Sequence, residues 1–81
     1  MDIKPEPKIK VLVVDDDKRI LQILRLYLQK DGYEVVTCER GDDALDLALD
    51  PALNIIILDV MLPGKDGWEV LRGVRKYSSV P

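Results

Sequence analysis

Three aspartates stand side by side at Asp15, Asp16 and Asp17, directly after the apolar run VLVV. A fourth, Asp59, follows the apolar run NIIIL in the same way. Carboxylates can act as nucleophiles and can hold hard cations such as Mg²⁺. One aspartate is enough to cap a helix, and three adjacent negative charges repel one another. The DDD cluster therefore indicates a second role for these residues, most simply the binding of a metal ion.

The rest of the composition limits what else the chain can do. It has 81 residues, no histidine and a single cysteine, Cys38. The commonest general base and metal ligand is therefore missing, and a lone cysteine excludes both an internal disulfide and a cysteine-rich zinc site. A net charge of -3 and a pI near 4.8 argue against binding to nucleic acid or to an anionic membrane surface. Any chemistry must therefore rest on carboxylates.

The N-terminal region carries no sign of a membrane or secretory segment. No apolar run approaches the roughly 20 residues that a membrane helix needs. The segment MDIKPEPKIK also lacks the apolar core of a signal peptide. We therefore expect a cytoplasmic protein, with a flexible leader over residues 1–8 and a domain that begins at Ile9.

The elements that must position the aspartates alternate between strand and helix. Short apolar, β-branched runs predict buried strands over residues 9–14, 33–38 and 54–59. Apolar residues at helical spacing predict helices over residues 18–30, with Gly32 as a stop, and around residues 44–49, before Pro51. A third helix is predicted around residues 68–74 and is weakened by Gly73.

A βαβαβα pattern with short loops predicts a parallel sheet with helices packed on its faces. In such sheets functional groups collect at the carboxyl ends of the strands. Asp15 and Asp16 end the first strand and Asp59 ends the third, so these carboxylates converge if the two strands are neighbours about 4.8 Å apart. Mg²⁺ prefers carboxylates, backbone oxygen and water as ligands. The sequence thus predicts a magnesium site, whereas Asp17 is predicted to cap the first helix.

The segment VLVVDDD, the strand-ending Asp59 in IIILDVMLPGKDG and the connecting lengths resemble the receiver domain of two-component response regulators. The resemblance covers Ile9 to Pro81. It implies a flavodoxin-like (CheY-like) α/β fold with helices on both faces, here with strand order 2-1-3. It also implies that Asp59 accepts a phosphoryl group from a phosphohistidine of a sensor histidine kinase.

The same resemblance implies a set of ligands for Mg²⁺. Asp16 and Asp59 bind the ion directly, Asp15 acts through water, and the backbone carbonyl of Met61 completes the protein ligands. Phosphoryl transfer depends mainly on positioning and on charge neutralisation, which a metal between acceptor and phosphoryl oxygens supplies. The expected role is that of a phosphoacceptor in signal transduction and not that of an enzyme.

The chain supplies three of the five strands of the fold that it resembles. Residues 9–81 are therefore expected to form a partial receiver domain without strands four and five. The switch serine or threonine of the family, its lysine after strand five and its aromatic switch residue have no counterpart here. Ser78 and Ser79 precede the expected fourth strand and do not match the switch position. We therefore expect phosphotransfer to be impaired in this chain.

Three other interpretations compete with that of a receiver. An aspartyl-phosphate phosphohydrolase needs a second aspartate two residues after the nucleophile, and a calcium loop needs an oxygen ligand there, but this chain has Met61 at that position. The third is an excised or engineered half-domain whose role is only folding or assembly. In that case the acidic pocket is a relic.

The third strand also predicts self-association. In the order 2-1-3 it lies at an edge of the sheet, and its sequence NIIIL is flat, aliphatic and free of proline. A second copy that pairs with this edge, or that exchanges a terminal element, would form a dimer. The expected interface holds apolar residues of the third strand and third helix, namely Ile55, Ile56, Ile57, Val70, Leu71 and Val74.

Overall fold

The computed structural model describes residues 8–59 and 67–81. The elements are, in order, β1 (Lys10–Val14), α1 (Lys18–Lys30), β2 (Glu34–Cys38), α2 (Gly41–Ala48), β3 (Ile55–Leu58) and α3 (Gly67–Tyr77). All six predicted elements are present; α1 has the predicted ends, and the ends of the other five differ from the predicted ones by one to three residues. Within the described ranges, no helix is both long enough and apolar enough to cross a membrane. The expected leader, apart from Lys8, lies outside the described residues.

The three strands form one parallel sheet in the order β2-β1-β3. β1 lies at the centre, where Leu12 pairs with Val36 on one side and with Ile56 on the other. Residues 11–14 of β1 are between 0% and 2% exposed. A strand covered on both faces needs no polar alternation, which explains the run VLVV. The predicted flavodoxin-like arrangement with strand order 2-1-3 is confirmed.

Alternate side chains of β1 enter two separate hydrophobic clusters. Val11 and Val13 pack with Leu21 of α1 on one face of the sheet. Leu12 and Val14 pack on the other face, in a cluster that includes buried residues of α2 and α3, namely Ala44, Ala48, Val70 and Val74. The sheet therefore has α1 on one face and both α2 and α3 on the other.

The two ends of α1 are set by local hydrogen bonds. The Asp17 carboxylate accepts a hydrogen bond from the Arg19 N–H at 2.9 Å, which confirms its prediction as the cap. Beyond the C-terminus, Gly32 has a φ of 93° and its N–H donates to the carbonyl oxygen of Gln29. Glycine adopts this left-handed conformation without a Cβ clash, so Gly32 stops the helix as predicted.

The glycine that weakens α3 has a packing role. A Cβ built on Gly73 would lie 2.8 Å from Cδ1 of Leu45 in α2. Glycine inside a helix costs about 1 kcal/mol relative to alanine. Here the missing side chain allows α3 to approach α2 closely, so the two helices form one layer over the sheet.

The outer edge of β3 is less open than the sequence predicts. The Asp59 N–H donates to the carbonyl oxygen of Val14 in β1. Because backbone N–H groups alternate in direction along a strand, the Ile56 N–H points to the opposite edge. There it donates to the carbonyl oxygen of Pro81 at 2.9 Å, while Val80 packs against the core. The residues that follow α3 therefore cover part of the edge.

This arrangement changes the surface expected for self-association. Val70 and Val74 are 1% and 2% exposed inside the chain's own core, so they are not available to a second copy. Ile55 and Ile57 are 40% and 42% exposed and remain accessible. Self-association through β3 stays a prediction, with these two residues as its apolar contacts.

Candidate functional site

The carboxyl end of the sheet brings the predicted aspartates together. Asp15 and Asp16 follow β1, and Asp59 follows β3, which is the neighbouring strand. One carboxylate oxygen from each residue lies within 4.8 Å of the others. The predicted convergence is thus confirmed. Met61, the fourth expected ligand, lies outside the described residues.

Backbone hydrogen bonds fix two of these residues beyond the ends of their strands. The Asp15 N–H donates to the carbonyl oxygen of Cys38 at the end of β2, at 3.0 Å. The Asp59 N–H donates to the carbonyl oxygen of Val14 at the end of β1, at 2.9 Å. Each aspartate therefore continues the ladder of its strand by one bond. As a result, the hydrogen bonds of the sheet fix the backbone positions of Asp15 and Asp59.

The three carboxylates differ in their surroundings. Asp15 and Asp59 are half-buried, whereas Asp16 is exposed. The Asp15 Oδ1 accepts a hydrogen bond from the Asp17 N–H at 2.9 Å, which restrains its orientation. Within residues 8–59 and 67–81, no ion pair neutralises Asp15 or Asp16. The site therefore concentrates negative charge at a place open to solvent.

The donor set fits a hard cation. All three ligand groups are carboxylates, and oxygen is the ligand atom that Mg²⁺ and Ca²⁺ prefer. Two oxygens on opposite sides of one Mg²⁺ ion are only about 4.2 Å apart, twice the usual metal–oxygen distance. A spread of up to 4.8 Å is therefore compatible with two direct ligands and a third that acts through water.

Asp17 is adjacent in sequence but does not join the cluster. Its carboxylate is engaged by Arg19 through the helix cap and through an ion pair of 3.4 Å. The hydrogen bonds from the Arg19 side chain and backbone lower the pKa of Asp17 below its usual value. This aspartate therefore stabilises the start of α1 as a charged cap.

Cys38 lies close to the site in the fold and remains a buried thiol. It is 7% exposed, and its Sγ donates to the carbonyl oxygen of Arg40 at 3.0 Å. Burial raises the pKa of this thiol, which favours the unreactive protonated form. The surroundings therefore support a structural role.

A cleft that the sequence did not predict lies between α1 and the end of β2. It has a volume of about 200 Å³ and is lined mainly by polar side chains, namely Lys18, Gln22, Arg25, Thr37 and Glu39, over the apolar Leu21. The Arg25 guanidinium donates to the Thr37 hydroxyl at 2.9 Å, which joins α1 to β2. The sequence places Arg25 on α1, but it does not say which side of the helix faces β2. This hydrogen bond could therefore not be predicted before the packing of the helix was known.

Comparison with known proteins identifies the family. The family model of the response regulator receiver domain matches residues 11–81. The chain belongs to this family. Receiver domains are signalling domains of two-component systems and not classical enzymes, and they generally bind Mg²⁺ in an acidic pocket. The acidic cluster described above lies where such a pocket is expected.

Solved structures of receiver domains resemble this chain closely. The chemotaxis protein CheY4 of Vibrio cholerae is 38% identical with a TM-score of 0.84, over 93% of this chain and 65% of that one. A CheY-like receiver protein of Methanospirillum hungatei JF-1 is 30% identical with a TM-score of 0.82, over 86% and 56%. A structure of histidine kinase ThkA in complex with response regulator protein TrrA matches at 38% identity and a TM-score of 0.79, over 86% and 60%. This receiver chain thus spans less than two thirds of those chains.

Proposed function

We propose that Asp59 is the phosphoacceptor of this receiver domain and takes its phosphoryl group from a phosphohistidine of a sensor histidine kinase. The observation that carries this proposal is the convergence of Asp15, Asp16 and Asp59 at the carboxyl end of the sheet. The match to a chain in the complex of a histidine kinase with a response regulator supports the choice of phosphodonor.

Asp59 has the properties that a phosphoacceptor needs. Its carboxylate is half-buried, and its backbone is held to β1, so an incoming phosphoryl group meets an oxygen of defined position. In the transfer, the P–N bond of the phosphohistidine breaks while a P–O bond to Asp59 forms. The charges of Asp15 and Asp16 repel the incoming group, so the transfer requires a cation at the site.

We propose that this cation is Mg²⁺. Asp16 and Asp59 would hold it directly and Asp15 through water, while the carbonyl of Met61 would add a further ligand. When bound, Mg²⁺ supplies charge neutralisation and alignment of the acceptor and phosphoryl oxygens. The hydrogen bond from the Asp17 N–H to Oδ1 of Asp15 restrains the carboxylate that would hold the water.

Phosphorylation of the isolated chain tests the proposed acceptor. Incubation with a small-molecule phosphodonor and Mg²⁺ should add one phosphoryl group, which intact mass spectrometry detects. Asp59→Asn should add none because amide nitrogen and oxygen are poor nucleophiles, whereas the matched control Asp31→Asn should react like the wild type. A time course also measures the rate. Equal modification of Asp59→Asn and of the wild type would refute the assignment.

Thermal unfolding with and without Mg²⁺ tests the proposed metal site. A ligand that binds only the native state stabilises it by about 2.7 kcal/mol at one hundred times its Kd. The melting temperature of the wild type should therefore rise with Mg²⁺ concentration. Asp16→Asn should lose most of this rise, while Asp31→Asn, an exposed change at the end of α1, should keep it. The same rise in all three proteins would show that Mg²⁺ acts elsewhere.

A further inference from the structure

The layer formed by α2 and α3 carries opposite charges on its two helices. Both lie on the same face of the sheet, in the same hydrophobic cluster. α2 contains three carboxylates and no cation, whereas α3 contains three cations and one carboxylate. These charged side chains are all exposed: Asp42, Asp43, Asp46, Glu69, Arg72, Arg75 and Lys76. We call the outer side of this layer the α2–α3 surface.

The opposite charges do not pair with each other inside the chain. The helices meet closely where Gly73 lies against Leu45, yet among the described residues no ion pair joins α2 to α3. Asp42 instead pairs with Arg40, and Arg75 donates to a backbone carbonyl after α3. Among the charged side chains of the α2–α3 surface, and within residues 8–59 and 67–81, neither an ion pair nor a side-chain hydrogen bond engages Asp43, Asp46, Arg72 or Lys76.

We propose that the α2–α3 surface binds a second copy of this chain. α2 leads from the end of β2 to the start of β3. α3 follows the end of β3 and leads back to Pro81, whose carbonyl oxygen accepts from Ile56 near the start of β3, so the two helices run in the same general direction. A two-fold axis parallel to them therefore places α2 of one copy over α3 of the other, and α3 of the first over α2 of the second. Acidic and basic helices then meet twice in one symmetric contact, without any further partner.

Exposed apolar groups at the ends of the same two helices add contact area. Leu49, which caps the C-terminus of α2, is 37% exposed, and Trp68, at the start of α3, is 57% exposed. Tryptophan is enriched in protein interfaces, whereas each exposed ion pair contributes little affinity. The charges therefore set the orientation and the rate of association, and the apolar groups hold the contact. The result is a weak, reversible dimer that depends on salt.

Sedimentation at several protein concentrations provides the first test. Raising the salt from about 20 mM to about 500 mM shortens the screening length several-fold and should weaken association by about tenfold or more. Association through the apolar edge of β3 would not weaken with salt. A salt-independent dissociation constant would therefore overturn the proposal.

Charge reversal provides the second and stricter test. The variant Asp43→Lys/Asp46→Lys makes α2 basic, and the variant Arg72→Glu/Lys76→Glu makes α3 acidic. Each alone should lose the salt-dependent part of the association, because both helices then carry the same sign. An equimolar mixture should associate as strongly as the wild type, because the basic α2 of one variant meets the acidic α3 of the other. The two unchanged helices pair as before.

A matched control separates surface position from net charge. The variant Lys18→Glu/Lys30→Glu makes the same charge change as the α3 variant, but on α1 at the opposite face of the sheet, and it should associate like the wild type. Circular dichroism of each variant confirms that it is folded. If the mixture of the two charge-reversal variants stays monomeric, the charges act within one chain and the proposal is wrong.

Discussion

Asp17 connects the start of α1 to the acidic site. Its backbone N–H donates to Oδ1 of Asp15, and its side chain accepts from the N–H of Arg19, both at 2.9 Å. The helix cap and the orientation of a proposed ligand therefore depend on one turn of backbone. A change of the Asp17 side chain removes the cap but leaves the N–H that restrains Asp15.

Replacement of this cap should give a pH-dependent loss of stability. The pKa of Asp17 is lowered in the folded state, mainly by the Arg19 side chain. Its stabilising effect is therefore complete above the unfolded pKa of an aspartate, near 4, and is lost as the pH falls through the lower folded pKa. Asp17→Ala should be less stable than the wild type in urea at pH 7, and this difference should shrink at about pH 3.

Asp17→Asn is the matched control, because asparagine caps helices as well as aspartate but does not ionise. Its difference from Asp17→Ala should change little between the two pH values. A wild-type advantage over Asp17→Ala that is equally large at both would contradict a charged cap.

Asp15 and Asp59 could be predicted from the sequence because each directly follows a short apolar run rich in β-branched residues, which is typical of a buried strand. Backbone hydrogen bonds fix the ends of the strands, so the positions of Asp15 and Asp59 at these ends follow from the positions of the apolar runs. The bond from Arg25 to Thr37 could not be predicted in the same way. It depends on the rotation of α1 about its own axis, which is decided by the packing of the whole helix.

At the scale of elements, β1 is the part on which both hydrophobic clusters depend. Leu12 is fully buried against α2 and α3, and Val13 faces α1. The helices could be predicted from apolar spacing, since a helix must bury one stripe. The close approach of α3 to α2 at Gly73 could not, because it is a property of two helices together.

Shortening a buried side chain of β1 should therefore lower the free energy of unfolding far more than shortening an exposed side chain of a helix. Leu12→Ala removes a side chain that is 0% exposed and should lower the free energy of unfolding by about 2–5 kcal/mol. Leu26→Ala, on the outer side of α1 where the residue is 68% exposed, should cost less than about 0.5 kcal/mol. Urea unfolding measures both. Similar losses in the two variants would mean that the core is not organised around β1.

At the scale of the whole molecule, apolar surface is distributed unevenly over the sheet. Val80 and Pro81 contact one side of β3, whereas Ile55 and Ile57 stay exposed toward the face that carries α1. The sequence predicts an exposed edge from strand order alone. It could not predict that residues after α3 would cover part of it, because a short segment without a helical or strand pattern gives no signal of where it packs.

Association that persists at high salt should therefore depend on the exposed isoleucines of β3. Ile57→Lys places a charge on this apolar surface and should weaken such association, as measured by sedimentation in about 500 mM salt, where charge effects are screened. Lys30→Ala, on the outer side of α1, serves as a surface control. If Ile57→Lys associates as the wild type does under these conditions, the predicted contact through β3 is absent.

The central position of β1 also has a consequence for the growing chain on the ribosome. Residue 11 pairs with residue 35 and with residue 55, which is made 44 residues later. At a rate of synthesis of about 5–20 residues per second, β3 is made about 2–9 seconds after the run VLVV of β1. During that interval the strand that is most buried in the folded protein has no partner on one side. Nascent chains that stall between β2 and β3 should therefore be the ones most readily bound by chaperones that recognise extended apolar segments.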